Sequence, residues 1–209
     1  MKIKICGMRS PENIMALSHL EPDYMGFIFW EHSKRWVKAL TPDLPMSIKK
    51  TGIFVDAPRG NILKIAKQHQ LQALQLHGDE SPDFCQKLQA SGLEIIKAFA
   101  VGEDFDFSIL QTYESVCDYF LFDTKGKLPG GNGSRFDWSL LQNYSTSKPF
   151  FLSGGIGPGD QRAIASIIAL NLPLYAIDIN SKFEIEPGIK NIEIIKQFKA
   201  TLKDEISGR

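Results

Sequence analysis

Lys2-Ile3-Lys4-Ile5-Cys6-Gly7 reads as a short strand, and Ser10-Pro11-Glu12 follows at once as a helix start. Ile3 and Ile5 alternate with lysines, the pattern of a half-buried strand. Cys6 therefore stands where the strand runs out. Four later strand-like runs also end in reactive or polar residues, at Lys97, Asp123, Ser153 and Asp178. Many strands converging on one polar face point to the active site of a barrel.

Working outward from that start, eight short apolar runs recur every 21 to 31 residues. They are Ile3–Cys6, Tyr24–Phe29, Gly52–Val55, Ala73–Leu76, Ile95–Phe99, Tyr119–Asp123, Phe150–Ser153 and Leu174–Ile179. Several are continuous, without alternation, as parallel strands buried on both faces are. Helical spacing of apolar residues fills Asn61–Gln70, Pro82–Ala90, Asp160–Leu170 and Asn191–Leu202. Ser10-Pro11-Glu12, Thr41-Pro42-Asp43 and Ser81-Pro82-Asp83 share one grammar. A hydroxyl N-cap precedes a proline at the first helical position, and an acid complements the helix dipole. The gaps before strands five and six carry the weakest helical signal. Strand–helix alternation eight times over predicts an α/β fold, a (β/α)8 TIM barrel built as a single domain over residues 1–209. A doubly wound open sheet, of about five or six strands, is the alternative.

The bulk numbers narrow the function. Of 209 residues, 43% are apolar and 23% charged, and the formal net charge is zero. A nucleic-acid or polybasic membrane binder needs clustered excess Lys and Arg, so neither nucleic acid nor membrane is expected as a partner. No apolar run approaches the roughly 18 residues of a membrane span, and no signal-peptide core is visible. Cys6, Cys85 and Cys117 are odd in number and scattered, which fits a reducing, cytoplasmic setting better than a disulfide framework.

Four constellations carry chemistry. Phe151-Leu152-Ser153-Gly154-Gly155-Ile156-Gly157 joins a buried strand to a helix, and the next strand ends Asp178-Ile179-Asn180-Ser181. Small residues let backbone N–H groups approach an anion, the helix N-terminus adds its positive end, and barrels often bind phosphate after strands seven and eight. Two ordinary Gly-rich turns are the bland reading. Cys6 and Asp123 end the first and sixth strands, which face one cavity in a closed barrel. A thiolate can serve as base and a carboxylic acid as proton donor. A small core cysteine and a loop-bracing carboxylate are the alternatives. Lys125–Ser134 is glycine-rich and reads as a loop able to close over a ligand, or as a plain surface loop. Arg35, after the second strand, suits bidentate carboxylate binding or an exposed salt bridge. The histidines lack metal-ligand spacing and no CxxC occurs, so no metal is expected. Lys97 raises a Schiff-base possibility.

Together these pieces resemble the phosphoribosylanthranilate isomerases. The resemblance runs nearly end to end through Lys4-Ile5-Cys6-Gly7-Met8, Gly26-Phe27-Ile28-Phe29 with Ser33-x-Arg35, and Gly52-Ile53-Phe54-Val55. It continues in Gln75-Leu76-His77-Gly78-Asp79-Glu80, Ile96-Lys97-Ala98-Phe99, and Gly130-Gly131-Asn132-Gly133 with Phe136-Asp137-Trp138. It closes with Ser153-Gly154-Gly155, Asp178-x-Asn180-Ser181 and Glu186-Pro187-Gly188-Ile189-Lys190.

The resemblance implies an Amadori rearrangement of a phosphorylated ribosylamine of anthranilate, in tryptophan biosynthesis, without metal or organic cofactor. By resemblance Asp123 is the general acid and Cys6 the general base. Arg35 binds the anthranilate carboxylate, and Gly154, Gly155, Asn180 and Ser181 hold the phosphate. Asp178 lines the site near the anthranilate amine. The implied partner is that small phosphorylated molecule, and the chain is a monomer or homodimer. Two positions depart from the family pattern. Lys182 stands where a glycine is frequent, and Asn191 where an aspartate is usual. The rival readings are another sugar-phosphate barrel enzyme, such as an aldolase using Lys97 or an aminoaldose isomerase, and a catalytically silent barrel.

Overall fold

The computed structural model describes residues 1–126 and 135–208. Most of the glycine-rich stretch Lys125–Ser134 thus lies outside the described residues. Eight parallel strands form a closed barrel in sequence order. They are β1 (Lys2–Ile5), β2 (Tyr24–Ile28), β3 (Lys49–Phe54), β4 (Ala73–Leu76), β5 (Glu94–Val101), β6 (Tyr119–Thr124), β7 (Phe150–Leu152) and β8 (Leu174–Ile179). Closure is made by β1 against β8, with Lys4 beside Asp178 and Ile5 beside Ile179. Helices α1 (Pro11–Ser18), α2 (Arg59–Gln68), α3 (Pro82–Gln89), α4 (Gln161–Ile168) and α5 (Ile192–Ser207) cover the outside. After β8 a small hairpin, β9 (Glu184–Glu186) and β10 (Ile189–Lys190), projects at the C-terminal end of the barrel. The result is a (β/α)8 barrel. Among the described residues no helix is long and apolar enough to cross a membrane.

Strand residues alternate between two cores. Ile3, Ile5, Leu74, Leu76, Phe120, Phe122 and Ile177 pack outward against the helices. Tyr24, Ala73, Ile96, Leu121, Phe151 and Ala176 fill the lumen. This corrects the half-buried reading of β1. Lys4 is fully buried, because in a closed barrel the face opposite the isoleucines looks into the lumen, not into water.

Two of the three proline-headed helix starts form as expected. Ser10 and Ser81 each accept a bond from the N–H three residues on, in Asn13 and Phe84. The third does not. Thr41-Pro42-Asp43 opens no helix, and residues 41–48 are irregular. Pro45 explains it: it drives Leu44 away from helical backbone angles and would remove a donor within the first turn. The weak helical gaps are those before β6 and β7, which hold only 3₁₀ turns (Phe107–Tyr113 and Trp138–Asn143). The gap before β5 holds α3, a well-capped amphipathic helix.

Asn191 caps α5, its side-chain oxygen accepting from the Ile194 N–H at 3.1 Å. Asparagine thus does the work of an aspartate there. Asn191→Ala should lower stability by about 1 kcal/mol, read from urea unfolding, with turnover unchanged.

Candidate active site

Cys6 follows β1 at the C-terminal end of the barrel and is buried. Gly26 on β2 makes room for it: a Cβ there would lie 2.9 Å from the Cys6 Sγ and 3.0 Å from its Cα. Burial pushes the Cys6 thiol up, and Asp178 adds to the rise. Lys4 is the strongest opposing cation, followed by Lys190 and Arg35. Beneath Cys6, Lys4 Nζ donates to Asp178 Oδ2 at 2.7 Å, with both side chains buried. The other carboxylate oxygen, Asp178 Oδ1, is buried with no hydrogen-bond partner among the described residues. Burial alone would push Lys4 down, but Asp178 and Cys6 more than reverse this, so it stays an ammonium.

Asp123 closes the inward row of β6, two strands from Asp178. Its Oδ1 accepts from the Thr124 N–H at 2.8 Å, and its Oδ2 lies 3.3 Å from His77 Nε2. The amide nitrogen of Gln75 lies 2.7 Å from His77 Nδ1. With that amide as donor, Nδ1 accepts and the imidazole proton sits on Nε2, facing Asp123. Gly154, after β7, has φ +85°, and a side chain there would drive its Cβ to 2.3 Å from Thr124 Oγ1 and 3.2 Å from Asp123 Oδ1. A cavity of about 570 Å³ opens beside Asp123, with His77, Asp56, Asp79 and Phe99 in its wall. Asp178 is coupled electrostatically to Lys4, Asp123 and His77, and Cys6 to Asp178. Cys6, Asp123 and Asp178 are therefore gathered at one mouth.

Arg35 reaches the same mouth already paired. Its Nε donates to Glu184 Oε1 at 2.8 Å and its Nη2 to Glu184 Oε2 at 2.6 Å. Glu184 also accepts from Lys190 Nζ at 2.7 Å and the Gly188 N–H at 3.1 Å. Burial raises Glu184, but these donors win and hold it below the usual carboxylate range. Lys190 Nζ donates in turn to Asn180 Oδ1 at 2.6 Å. Ser181 begins the short 3₁₀ turn Ser181–Phe183 after β8. On the neighbouring strand end, Gly154 and Gly155 both have positive φ and lead towards α4. The Asp160 carboxylate accepts from the Gly157 N–H at 2.8 Å and pairs with Arg135 at 2.8 Å.

Lys97 does not end its strand. β5 runs on to Val101, and Lys97 shares the outward side with Ile95 and Phe99. Its Nζ donates to the Gly78 and Ala98 carbonyls at 2.6 and 3.0 Å and to Glu80 Oε2 at 3.2 Å. Glu80 in turn accepts the Asp56 and Gly78 N–H groups, both at 3.0 Å. This is a brace under the loops after β3 and β4, not a poised nucleophile.

Sequence reasoning missed Lys4, Glu184 and Lys190. Inward parity with Cys6, two residues on, was the available signal for Lys4. Glu184 lies 149 positions from Arg35 and offered none.

A closed parallel barrel with its ionisable side chains gathered at the C-terminal mouth defines a (β/α)8-barrel enzyme. The profile of the N-(5'-phosphoribosyl)anthranilate (PRA) isomerase family matches residues 3–201. The chain is 45% identical over 205 residues to the N-(5'-phosphoribosyl)anthranilate isomerase of Parabacteroides distasonis, covering 95% of this chain and 91% of that one. The phosphoribosyl anthranilate isomerase of Thermus thermophilus superposes over 100% of both chains with TM-score 0.84 and 25% identity. A phosphoribosyl anthranilate isomerase in complex with reduced 1-(o-carboxyphenylamino)-1-deoxyribulose 5-phosphate superposes with TM-score 0.79 at 29% identity, again over 100% of both chains. The chain belongs to the N-(5'-phosphoribosyl)anthranilate isomerase family, isomerases of tryptophan biosynthesis.

Lys97→Met strands Glu80 as a buried unpaired carboxylate and should cost about 3–5 kcal/mol, measured by urea unfolding. Borohydride with a ketose phosphate should leave no covalent adduct on the wild-type protein; an adduct on Lys97 would restore the aldolase reading.

Proposed function

We propose that residues 1–209 act as one barrel domain, catalysing the Amadori rearrangement of N-(5'-phosphoribosyl)anthranilate by acid–base chemistry. Asp123 protonates the furanose ring oxygen, and the ring opens to an iminium. Cys6 removes the proton from C2′, and the electron pair flows into the iminium to give an enolamine. A proton is delivered to C1′ while the C2′ hydroxyl loses its own, and the ketone 1-(2-carboxyphenylamino)-1-deoxyribulose 5-phosphate results. The iminium acidifies C2′–H, so a modest base suffices, and the chemistry calls for neither metal nor organic cofactor.

The observation that carries this reading is the position of Asp178 between the acid and the base. β8 adjoins β1, which leads into Cys6, and lies two strands from β6, which carries Asp123. The unpartnered oxygen of Asp178 is the natural acceptor for the substrate's amine N–H, which becomes more acidic as the iminium forms. The backbone of Gly154 and Gly155 and the N–H groups of Asn180 and Ser181 suit the phosphate. They stand at the ends of β7 and β8, remote from the bond changes, so phosphate binding positions the reacting carbons. Arg35, set by Glu184, suits the anthranilate carboxylate. The three scattered free cysteines suit a reducing, cytoplasmic setting for this small phosphorylated substrate.

The test is a coupled fluorescence assay in which anthranilate, phosphoribosyl pyrophosphate and the preceding transferase make the labile substrate in place. The protein should speed the loss of anthranilate-type fluorescence. Asp123→Asn and Cys6→Ala should each lower kcat by about 10²–10⁴-fold, with KM little changed. A near wild-type rate in either variant removes that residue from the scheme.

A further inference from the structure

Lys4 carries a buried charge that the scheme above does not use. Its side chain runs along the lumen below Cys6, two residues earlier on the same inward face. The lumen around it is buried, holding Ala73, Ile96, Leu121, Phe151 and Ala176 together with the polar side chains of Thr51 and Gln75. In such a buried setting a cation is screened less from its neighbours than it would be at the surface. Lys4 has two of them. Its ammonium donates to Asp178 Oδ2 at 2.7 Å, and it is the strongest cation acting on Cys6, two residues on along the same inward face.

The charges facing this group come from every side of the mouth. Cys6 is faced by Lys4 from β1, Asp178 from β8, Lys190 from β10 and Arg35 from the segment after β2. Asp178 is faced by Lys4, by Asp123 from β6 and by His77 after β4. Lys190 and Arg35 are both committed to Glu184. Lys4 is the cation shared between Cys6 and Asp178. By engaging Oδ2 it leaves Oδ1 as the oxygen with no hydrogen-bond partner among the described residues.

We propose that Lys4 is a positioning residue of the isomerisation: its ammonium, held on Asp178 Oδ2 and on the same inward face as Cys6, presents the second Asp178 oxygen to the substrate and supplies the counter-charge for the Cys6 thiolate. The inference rests on the reading of Cys6 as base. The proton balance leaves Lys4 unchanged. The C2′–H bond breaks, the S–H bond forms, and the electron pair goes to the iminium, while Lys4 keeps its three protons. A lysine that merely filled the lumen would neutralise Asp178 and leave the thiol indifferent to it.

The experiment reads the thiol directly. In a Cys85→Ala/Cys117→Ala background, where Cys6 is the remaining thiol, the rate of alkylation by iodoacetamide is followed against pH. Burial sets the parent midpoint above that of an ordinary thiol. Lys4→Met/Asp178→Asn removes both charges and strands neither. Its midpoint should rise further, by about one unit or more, an approximately tenfold slower alkylation at any pH below it. Asp178→Asn alone keeps the cation and removes the opposing anion, so its midpoint should fall. In turnover, Lys4→Met/Asp178→Asn should lose at least about tenfold in kcat with KM within about threefold, and Lys4→Arg should recover part of the loss. Alkylation profiles that coincide in the parent and Asp178→Asn proteins overturn the proposal, even if the double variant fails to fold. The same holds for a double variant that folds and alkylates as the parent does. An active Cys6→Ala enzyme would instead remove the base assignment, while the alkylation profiles would still decide whether Lys4 governs the thiol.

Discussion

Closure of the barrel by β1 against β8 is the constraint on which the rest depends. The register that places Lys4 beside Asp178 also places the Cys6 N–H on the Ile179 carbonyl, at 2.9 Å. It thereby brings the first strand end, with Cys6 and Gly7, against the last, with Asn180 and Ser181. A Cβ on Gly7 would lie 2.7 Å from Asn180 Oδ1 and 2.5 Å from the Arg35 side chain. A slip of one residue would turn Lys4 and Cys6 into the helix layer and Ile3 and Ile5 into the lumen. The isoleucines, each packed against helices, resist that slip. The apolar face of β1 thus fixes the place of its polar face.

Three buried charge clusters then hold the mouth: Lys4 with Asp178, Lys97 with Glu80, and Arg35 and Lys190 with Glu184. Such clusters are poor sources of net stability, because desolvation consumes much of the Coulomb energy. Their value is geometric. Removing one partner leaves a charge with no solvent to turn to, so each cluster permits only one arrangement. Glu80 illustrates this, tying the ends of β3 and β4 to β5 through Lys97 and two backbone amides. That brace sits directly under the loop carrying His77, whose ring meets Asp123.

The barrel was legible because its signal repeats. The body of strands such as β6, through Phe120, Leu121 and Phe122, is apolar on both faces, and capped helices such as α3 recur between them. Proline at the first helical position was legible at Pro11 and Pro82 and misleading at Pro42, where Pro45 lies one turn on. Cys6 and Asp123 could be placed because a strand end is a local feature. Lys4 could not, since lysine alternating with isoleucine looks the same on an open sheet's wet face and in a barrel lumen. Only closure tells them apart. Arg35 shows the same limit, for its bidentate partner Glu184 is brought near by the tertiary fold alone.

The two departures from the family pattern are accommodated by different means. At Asn191 the requirement is one side-chain oxygen aimed at the Ile194 N–H, and asparagine supplies it as well as aspartate. At Lys182 the requirement is space. The Lys182 stem crosses the turn before α4, with its Cδ 2.9 Å from where a Cβ on Gly157 would stand. The volume that a side chain at 157 would fill is taken by the lysine from the opposite loop. Gly157 thus gives Lys182 the room that a glycine at 182 would not have needed. The ends of β7 and β8, which line the phosphate cradle, tolerate the change because their packing is solved jointly across two loops.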